Sequence, residues 1–219
     1  MSNPIINALL LIYAGLFPVV NPVGSAPIFL GLTQQSTGAE RHRLAARIAI
    51  NGFLLLLGSL LVGSHILEFF GITIPVVRIG GGFVVVAFGW KLLNQPGANI
   101  DQHRPEGDGP ISEPIDAFYP LTMPLTVGPG SIATAITLGS QRPQAPGGIE
   151  NLALIAAGAV TGLIAIATTI YFCYRFADRI VAALGTSGTN VFMRLSAFIL
   201  LCIGIQIVWS GYSALVSHP

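Results

Sequence analysis

Pro18-Val-Val-Asn21-Pro22-Val-Gly24-Ser25 interrupts an apolar run that extends from about Ile5 to Thr33. Pro124-Leu-Thr-Val-Gly128-Pro129-Gly130-Ser131 interrupts another, from about Ile115 to Leu138. Proline has no backbone donor and clashes with the preceding turn, so several prolines close to glycine divide a helix in two. In each cluster the first proline precedes the Gly-Ser pair by six residues. The third and sixth apolar runs carry a second match: Val77-Arg78-Ile79 before Gly89, and Met193-Arg194-Leu195 before Gly204. Together these predict two related halves.

The rest of the chain says what surrounds the interruptions. Of 219 residues, 53% are hydrophobic and only 9% are Asp, Glu, Lys or Arg, where a soluble domain carries about 25% charged residues. Mean hydropathy is +0.74. That composition excludes a soluble domain, a nucleic-acid partner and a disordered chain. The net charge of +1 sets up no global field for anionic partners. Cys173 and Cys202 both lie in apolar runs and form no disulfide framework or metal cluster.

Crossing about 30 Å of hydrocarbon takes roughly 20 apolar residues. Further runs fall at about Ala45–Phe70, Ile72–Leu93, Leu152–Tyr174 and Val191–Val216, which with the two interrupted runs makes six predicted spans. The polar stretch 95–114, rich in Pro, Gly and charge, reads as a linker between a first three-helix repeat (1–94) and a second (115–219). No Lys or Arg precedes the first run, so it is expected to stay as a span and not to be cleaved. Arg41, Arg43, Arg47, Lys91, Arg104, Arg175, Arg179 and Arg194 share one side of the membrane, against Arg78 and Arg142 on the other. The positive-inside rule makes the first side, and the linker, cytoplasmic and turns both termini outward. Three spans per half inverts the second half relative to the first. Matched interruptions in inverted repeats point to a transporter site. The predicted fold is therefore all-α: six transmembrane helices in two inverted repeats, the first and fourth broken in mid-membrane.

Backbone groups freed at a break cannot stay unpaired against lipid, where each costs several kcal/mol. They must face protein, water or a ligand. The second half-helix at each break presents N–H groups and a partial positive charge, and the first presents carbonyls. Ser25 or Ser131 is placed to cap or to donate. Donors and acceptors without formal charge suit a zwitterion or a small neutral polar solute.

Three segments now taken together carry a family resemblance. They are Asn21-Pro22-Val-Gly24-Ser25-Ala-Pro27-Ile-Phe-Leu, Phe70-Gly71-Ile-Thr-Ile-Pro75-Val-Val-Arg78-Ile-Gly80-Gly81, and Pro120-Leu-Thr-Met-Pro124-Leu-Thr-Val-Gly128-Pro129-Gly130-Ser131. In order, spacing and flanks the chain resembles the MarC/SnatA family of bacterial and archaeal inner-membrane proteins over nearly its whole length, the linker excepted. The resemblance implies six spans in a prokaryotic inner membrane. It implies transport of small neutral amino acids, of the alanine or glycine class, for the SnatA-type members, and a link in name to multiple antibiotic resistance for the MarC-type members. Its Asn-Pro motif falls on Asn21, Pro22 and Gly24 and its Gly-Pro-Gly motif on Gly128, Pro129 and Gly130, with substrate between them. Ser25, Thr126 and Ser131 complete the candidate binding set.

Other residues have plainer roles. Arg78 and Arg194 read as snorkelling interface anchors, each with an acidic residue upstream as an expected ion-pair partner: Glu68 for Arg78 and Asp178 for Arg194. His65 and Glu68 read as a solvated helix end in preference to a proton relay. Thr122, Thr126 and Thr134 either line the site or bond back to their own helix. Gly158-Ala-Val-Thr-Gly162 and Gly80-Gly81-Gly82 read as packing faces. No Walker A loop, His-Glu-x-x-His or complete nucleophile elbow is present, so neither an enzyme nor a cofactor is expected. Coupling to H⁺ or Na⁺ stays open. The leading expectation is a secondary transporter of small neutral amino acids by alternating access; the alternative is a passive channel, or an efflux protein for another small polar solute.

Overall fold

The computed structural model describes residues 3–94, 116–140 and 148–217. The linker 95–114 lies outside them. The described residues are helical with no strand. Eight helices follow in order: α1 (Pro4–Val20), α2 (Pro22–Leu32), α3 (Gly38–Phe69), α4 (Ile74–Asn94), α5 (Ala117–Thr126), α6 (Pro129–Ser140), α7 (Gly148–Arg175) and α8 (Ala177–Ser217).

Local chemistry explains the starts. Asn3 caps α1 by accepting from the Ile5 N–H, and Pro4 occupies the first turn, where no helical donor is needed. Thr37 and Glu40 form a reciprocal capping box at α3: the Glu40 N–H donates to the Thr37 hydroxyl, and the Thr37 N–H donates to the Glu40 carboxylate at 2.7 Å.

Helices α3, α4, the Asn151–Arg175 part of α7 and the Ser187–Val216 part of α8 are each long and apolar enough to cross a membrane. The α1–α2 pair meets the same test with a bend of 42°, and the α5–α6 pair with a bend of 69°; counting each bent pair as one span gives six. Large apolar side chains lie exposed along the outer faces, among them Leu10, Leu54, Phe83, Trp90, Phe198 and Trp209. Such a belt is incompatible with water and suits acyl chains.

Helices α4 and α8 pack along each other more extensively than any other pair. Their contact is a glycine seam. A Cβ on Gly89 would lie 2.8 Å from the Leu201 nitrogen, and one on Gly204 would lie 2.7 Å from the Val86 nitrogen. Without hydrophobic drive between helices in lipid, close backbone approach of this kind is what holds them. Gly158 and Gly162 do the same for α7 against α1, where Ile5, Leu9 and Ile12 face them. Gly82 and Gly81 are packing residues as well, against Val208 and Ala133, whereas a Cβ on Gly80 would meet open space.

The core joins the halves. Helices α1 and α2 pack on α7, and α3 packs on α5 and α6, so each bent pair rests on a long helix of the other half. Leu16, Val20, Phe29, Ile48, Leu56, Leu121, Val127, Ile166 and Ile170 are buried in this shared core.

Two expected ion pairs do not form. Asp178 pairs with Arg41 of α3 at 2.6 Å, not with Arg194, which is exposed. Sixteen positions along α8 separate Asp178 from Arg194. Moreover, the left-handed backbone of Gly185 (φ 65°) breaks α8 between them. Arg78 donates to the Thr137 hydroxyl on α6 at 3.4 Å, while Glu68 stays exposed at the end of α3 beside exposed His65. The last apolar run also becomes helical earlier than the expected Val191, from Ala177, because the segment before Gly185 forms its own helical piece.

Candidate functional site

At the first break one residue ends α1 and starts α2. Asn21 adopts the left-handed conformation (φ 45°, ψ 56°), which asparagine tolerates better than most side chains. Its N–H donates to the Phe17 carbonyl at 2.9 Å, closing α1. Its side-chain oxygen accepts from the Gly24 N–H at 3.2 Å and its carbonyl from the Ser25 N–H at 3.0 Å, opening α2. Asn21, not Ser25, is therefore the cap. A Cβ on Gly24 would run into the Asn21 amide.

The second break is built otherwise. Helix α5 has wide, π-type turns, with the Val127 N–H reaching back five residues to the Thr122 carbonyl at 2.8 Å. Tyr119 and Met123, each preceding a proline, have extended backbone angles inside it, and both proline peptide bonds are cis. Residues before proline are pushed out of the helical region. The Thr122 and Thr126 hydroxyls also reach back five residues, to the Ala117 and Leu121 carbonyls at 2.7 and 2.8 Å. Thr134 donates to the Gly130 carbonyl at 2.9 Å. All three threonines thus bond back to their own helices. A Cβ on Gly130 would collide with Val85 of α4, so α6 can sit this close only with glycine there.

Both breaks open onto one cavity of about 100 Å³. A single water needs roughly 10–15 Å³ measured this way, so the space admits several waters or a solute of a few heavy atoms. Asn21, Gly24, Ser25, Thr126, Gly128, Pro129, Gly130 and Ser131 line it; Pro22 is buried but does not. Helices α4 and α8 close the other side with Val84, Val85, Phe88, Leu92, Met193, Ser196 and Leu200. These positions, all apolar except Ser196, were not distinguishable in the sequence from ordinary lipid-facing or packing residues.

Tyr174 of α7 is the other residue that sequence reasoning passed over. It is buried and stacks on Phe29 of α2, with ring centroids 4.6 Å apart. Its hydroxyl shares a hydrogen bond with the Thr126 hydroxyl at 2.7 Å and lies beside the Ser25 side chain. One phenol therefore touches both breaks from behind the cavity wall.

Comparison with known proteins fits this architecture. The chain is 31% identical over 202 residues to the inner membrane protein MarC of Escherichia coli O157:H7, covering 90% of each protein. It is 30% identical over 200 residues to the protein of the same name in Salmonella paratyphi B, again covering 90% of each. No solved structure matches. The sequence model of the MarC family of integral membrane proteins matches residues 6–216, the whole helical body including both breaks, and the chain belongs to that family.

Proposed function

We propose that this protein is a secondary transporter of small neutral amino acids, of the alanine or glycine class, in a prokaryotic inner membrane. The observation that carries the reading is the cavity shared by the two breaks. Helix interruptions inside an apolar bundle are tolerated where their backbone groups line a cavity or are buried in protein. Here both interruptions reach the same small space. That space is lined by uncharged polar groups and by the backbone of Gly24, Gly128 and Gly130, and its far wall is apolar apart from Ser196. Such a lining accommodates a compact dipolar solute with a short side chain.

The order of elements supports alternating access. A bent pair followed by two long helices occurs twice, each bent pair packs on a long helix of the other half, and α4 packs on α8. Two inverted three-helix repeats rocking about the cavity account for that arrangement. Cytoplasmic placement of the Arg41–Asp178 end, with both termini on the opposite side, follows from the distribution of basic residues. The relatives are named inner membrane proteins, in keeping with this location.

The test is counterflow of labelled L-alanine and glycine in proteoliposomes. Saturable uptake that is accelerated by the same solute on the far side is expected. No uptake across a panel of small zwitterions overturns the substrate class. Uptake that neither saturates nor exchanges makes the protein a channel.

A further inference from the structure

The two breaks differ in what they leave available. At the first, the cavity-lining donors that open α2 are already taken: Gly24 and Ser25 both donate to Asn21, Pro22 has no N–H, and Val23 does not line the cavity. What remains is acceptor. The Val20 carbonyl has lost its helical donor, since the Gly24 N–H turns to the Asn21 side chain, and Val20 lines the cavity. At the second break, the first helical bond of α6 runs from the Ile132 N–H to the Gly128 carbonyl at 3.1 Å. The Gly130 and Ser131 N–H groups ahead of it meet no acceptor among the described residues. Gly130 lines the cavity, and having no side chain it does so with backbone.

An independent observation comes from the Ser131 side chain. Ser131 is only 2% exposed, yet its hydroxyl makes no hydrogen bond among the described residues. No fully enclosed side-chain polar atom among them is unpartnered. The hydroxyl therefore opens onto the cavity that Ser131 lines. Ser25, its counterpart at the first break, lies beside the Tyr174 hydroxyl.

From these observations we infer that the cavity holds its zwitterion in one orientation, with the carboxylate on the N-terminus of α6 at Gly130 and Ser131 and the ammonium toward the α1 carbonyl end at Val20. A helix N-terminus with free N–H groups and a donating hydroxyl favours a carboxylate. Freed carbonyls at a helix C-terminus favour a cation. This assignment rests on the transporter reading and adds a direction to it.

The experiment measures inhibition of labelled L-alanine counterflow by unlabelled L-alanine and by alaninamide, which keeps the amine and lacks the carboxylate. Wild-type protein is expected to prefer alanine strongly. Ser131→Ala is expected to narrow that preference about tenfold or more, the scale of one hydrogen bond to a charged group. Ser25→Ala is expected to move both affinities by the same factor. Ser131→Gly serves in place of Ser131→Ala if the latter fails to insert. An unchanged preference in the Ser131 variants, or a preference narrowed by Ser25→Ala instead, overturns the orientation while transport itself stands. A wild-type protein that moves no small amino acid overturns the transporter reading and the orientation with it.

Discussion

At the first break a single left-handed residue, Asn21, ends one helix, begins the next and turns the chain by 42°. At the second, ten residues of wide-turned helix with two extended positions and two prolines lead through Val127 and Gly128 into α6, and the turn is 69°. Both sites carry the same proline-to-Gly-Ser spacing, yet α2 starts at Pro22, three residues before Ser25, whereas α6 starts at Pro129, two before Ser131. That one-residue difference decides which donors each helix consumes. The Ser25 N–H is spent on Asn21, while the Ser131 N–H still precedes the first helical bond. One break has spent its cavity-lining donors and keeps an acceptor, and the other keeps donors, so a repeated motif does not by itself specify a repeated site.

The largest expected effect comes from filling the second break. Gly130→Leu drives a side chain into the place of Val85 and into the cavity. It is expected to abolish alanine counterflow while membrane insertion is retained, as read by extraction and gel filtration. Gly24→Leu should also stop transport, but by dislodging the Asn21 amide. The two mechanisms separate through α4: Val85→Ala should relieve Gly130→Ala and should do nothing for Gly24→Ala. Equal relief of both would mean that the two breaks are packed alike, against the contrast drawn above.

Next in size is the loss of Asn21. Alanine in a left-handed conformation costs about 1–2 kcal/mol, and loss of the N-cap costs about 1 kcal/mol more. Asn21→Ala should therefore lower unfolding stability in detergent by roughly 2–3 kcal/mol. Asn21→Gly, which accepts the backbone and loses only the cap, should recover the larger part. At the corresponding position of the other break, Val127 has φ −119° and needs no left-handed residue. Val127→Gly should then give no such recovery over Val127→Ala; it should be the worse of the two. The opposite order would show that the second break also depends on a left-handed joint.

The sequence made the breaks visible because proline and glycine act locally: a missing N–H or a missing Cβ has the same consequence wherever the chain goes. For the same reason the long apolar helices and the packing role of Gly158 and Gly162 were legible, and the candidate residues other than Pro22 all reach the cavity. What escaped depended on tertiary placement. Asp178 and Arg194 looked like partners by proximity along the chain, but the break at Gly185 lies between them, and Arg41 arrives from the other half. Val85 and Phe88 belong to an apolar stretch in which nothing local marks the cavity-facing side. The wide turns of α5 were hidden too, because proline predicts a departure from α-helix without predicting its form.

Tyr174 tests whether the two breaks are mechanically joined. Its ring is held by Phe29 on α2, and its hydroxyl meets Thr126 at the end of α5 and sits beside Ser25. Tyr174→Phe keeps the stack and removes only the oxygen. The Thr126 hydroxyl then still donates to the Leu121 carbonyl at 2.8 Å, while the Ser25 side chain loses its phenol neighbour. The stability cost should accordingly be small, about 0.6–1 kcal/mol, in the range measured for hydrogen bonds within membrane proteins. If the phenol ties the breaks together, removing it should change the rate of alanine exchange more than the half-saturation concentration, because the cavity lining is untouched while one link between α2 and α5 is gone. A change in half-saturation alone would instead make Tyr174 part of the binding surface. An unaltered exchange rate together with unaltered affinity would mean that the two breaks move independently of it.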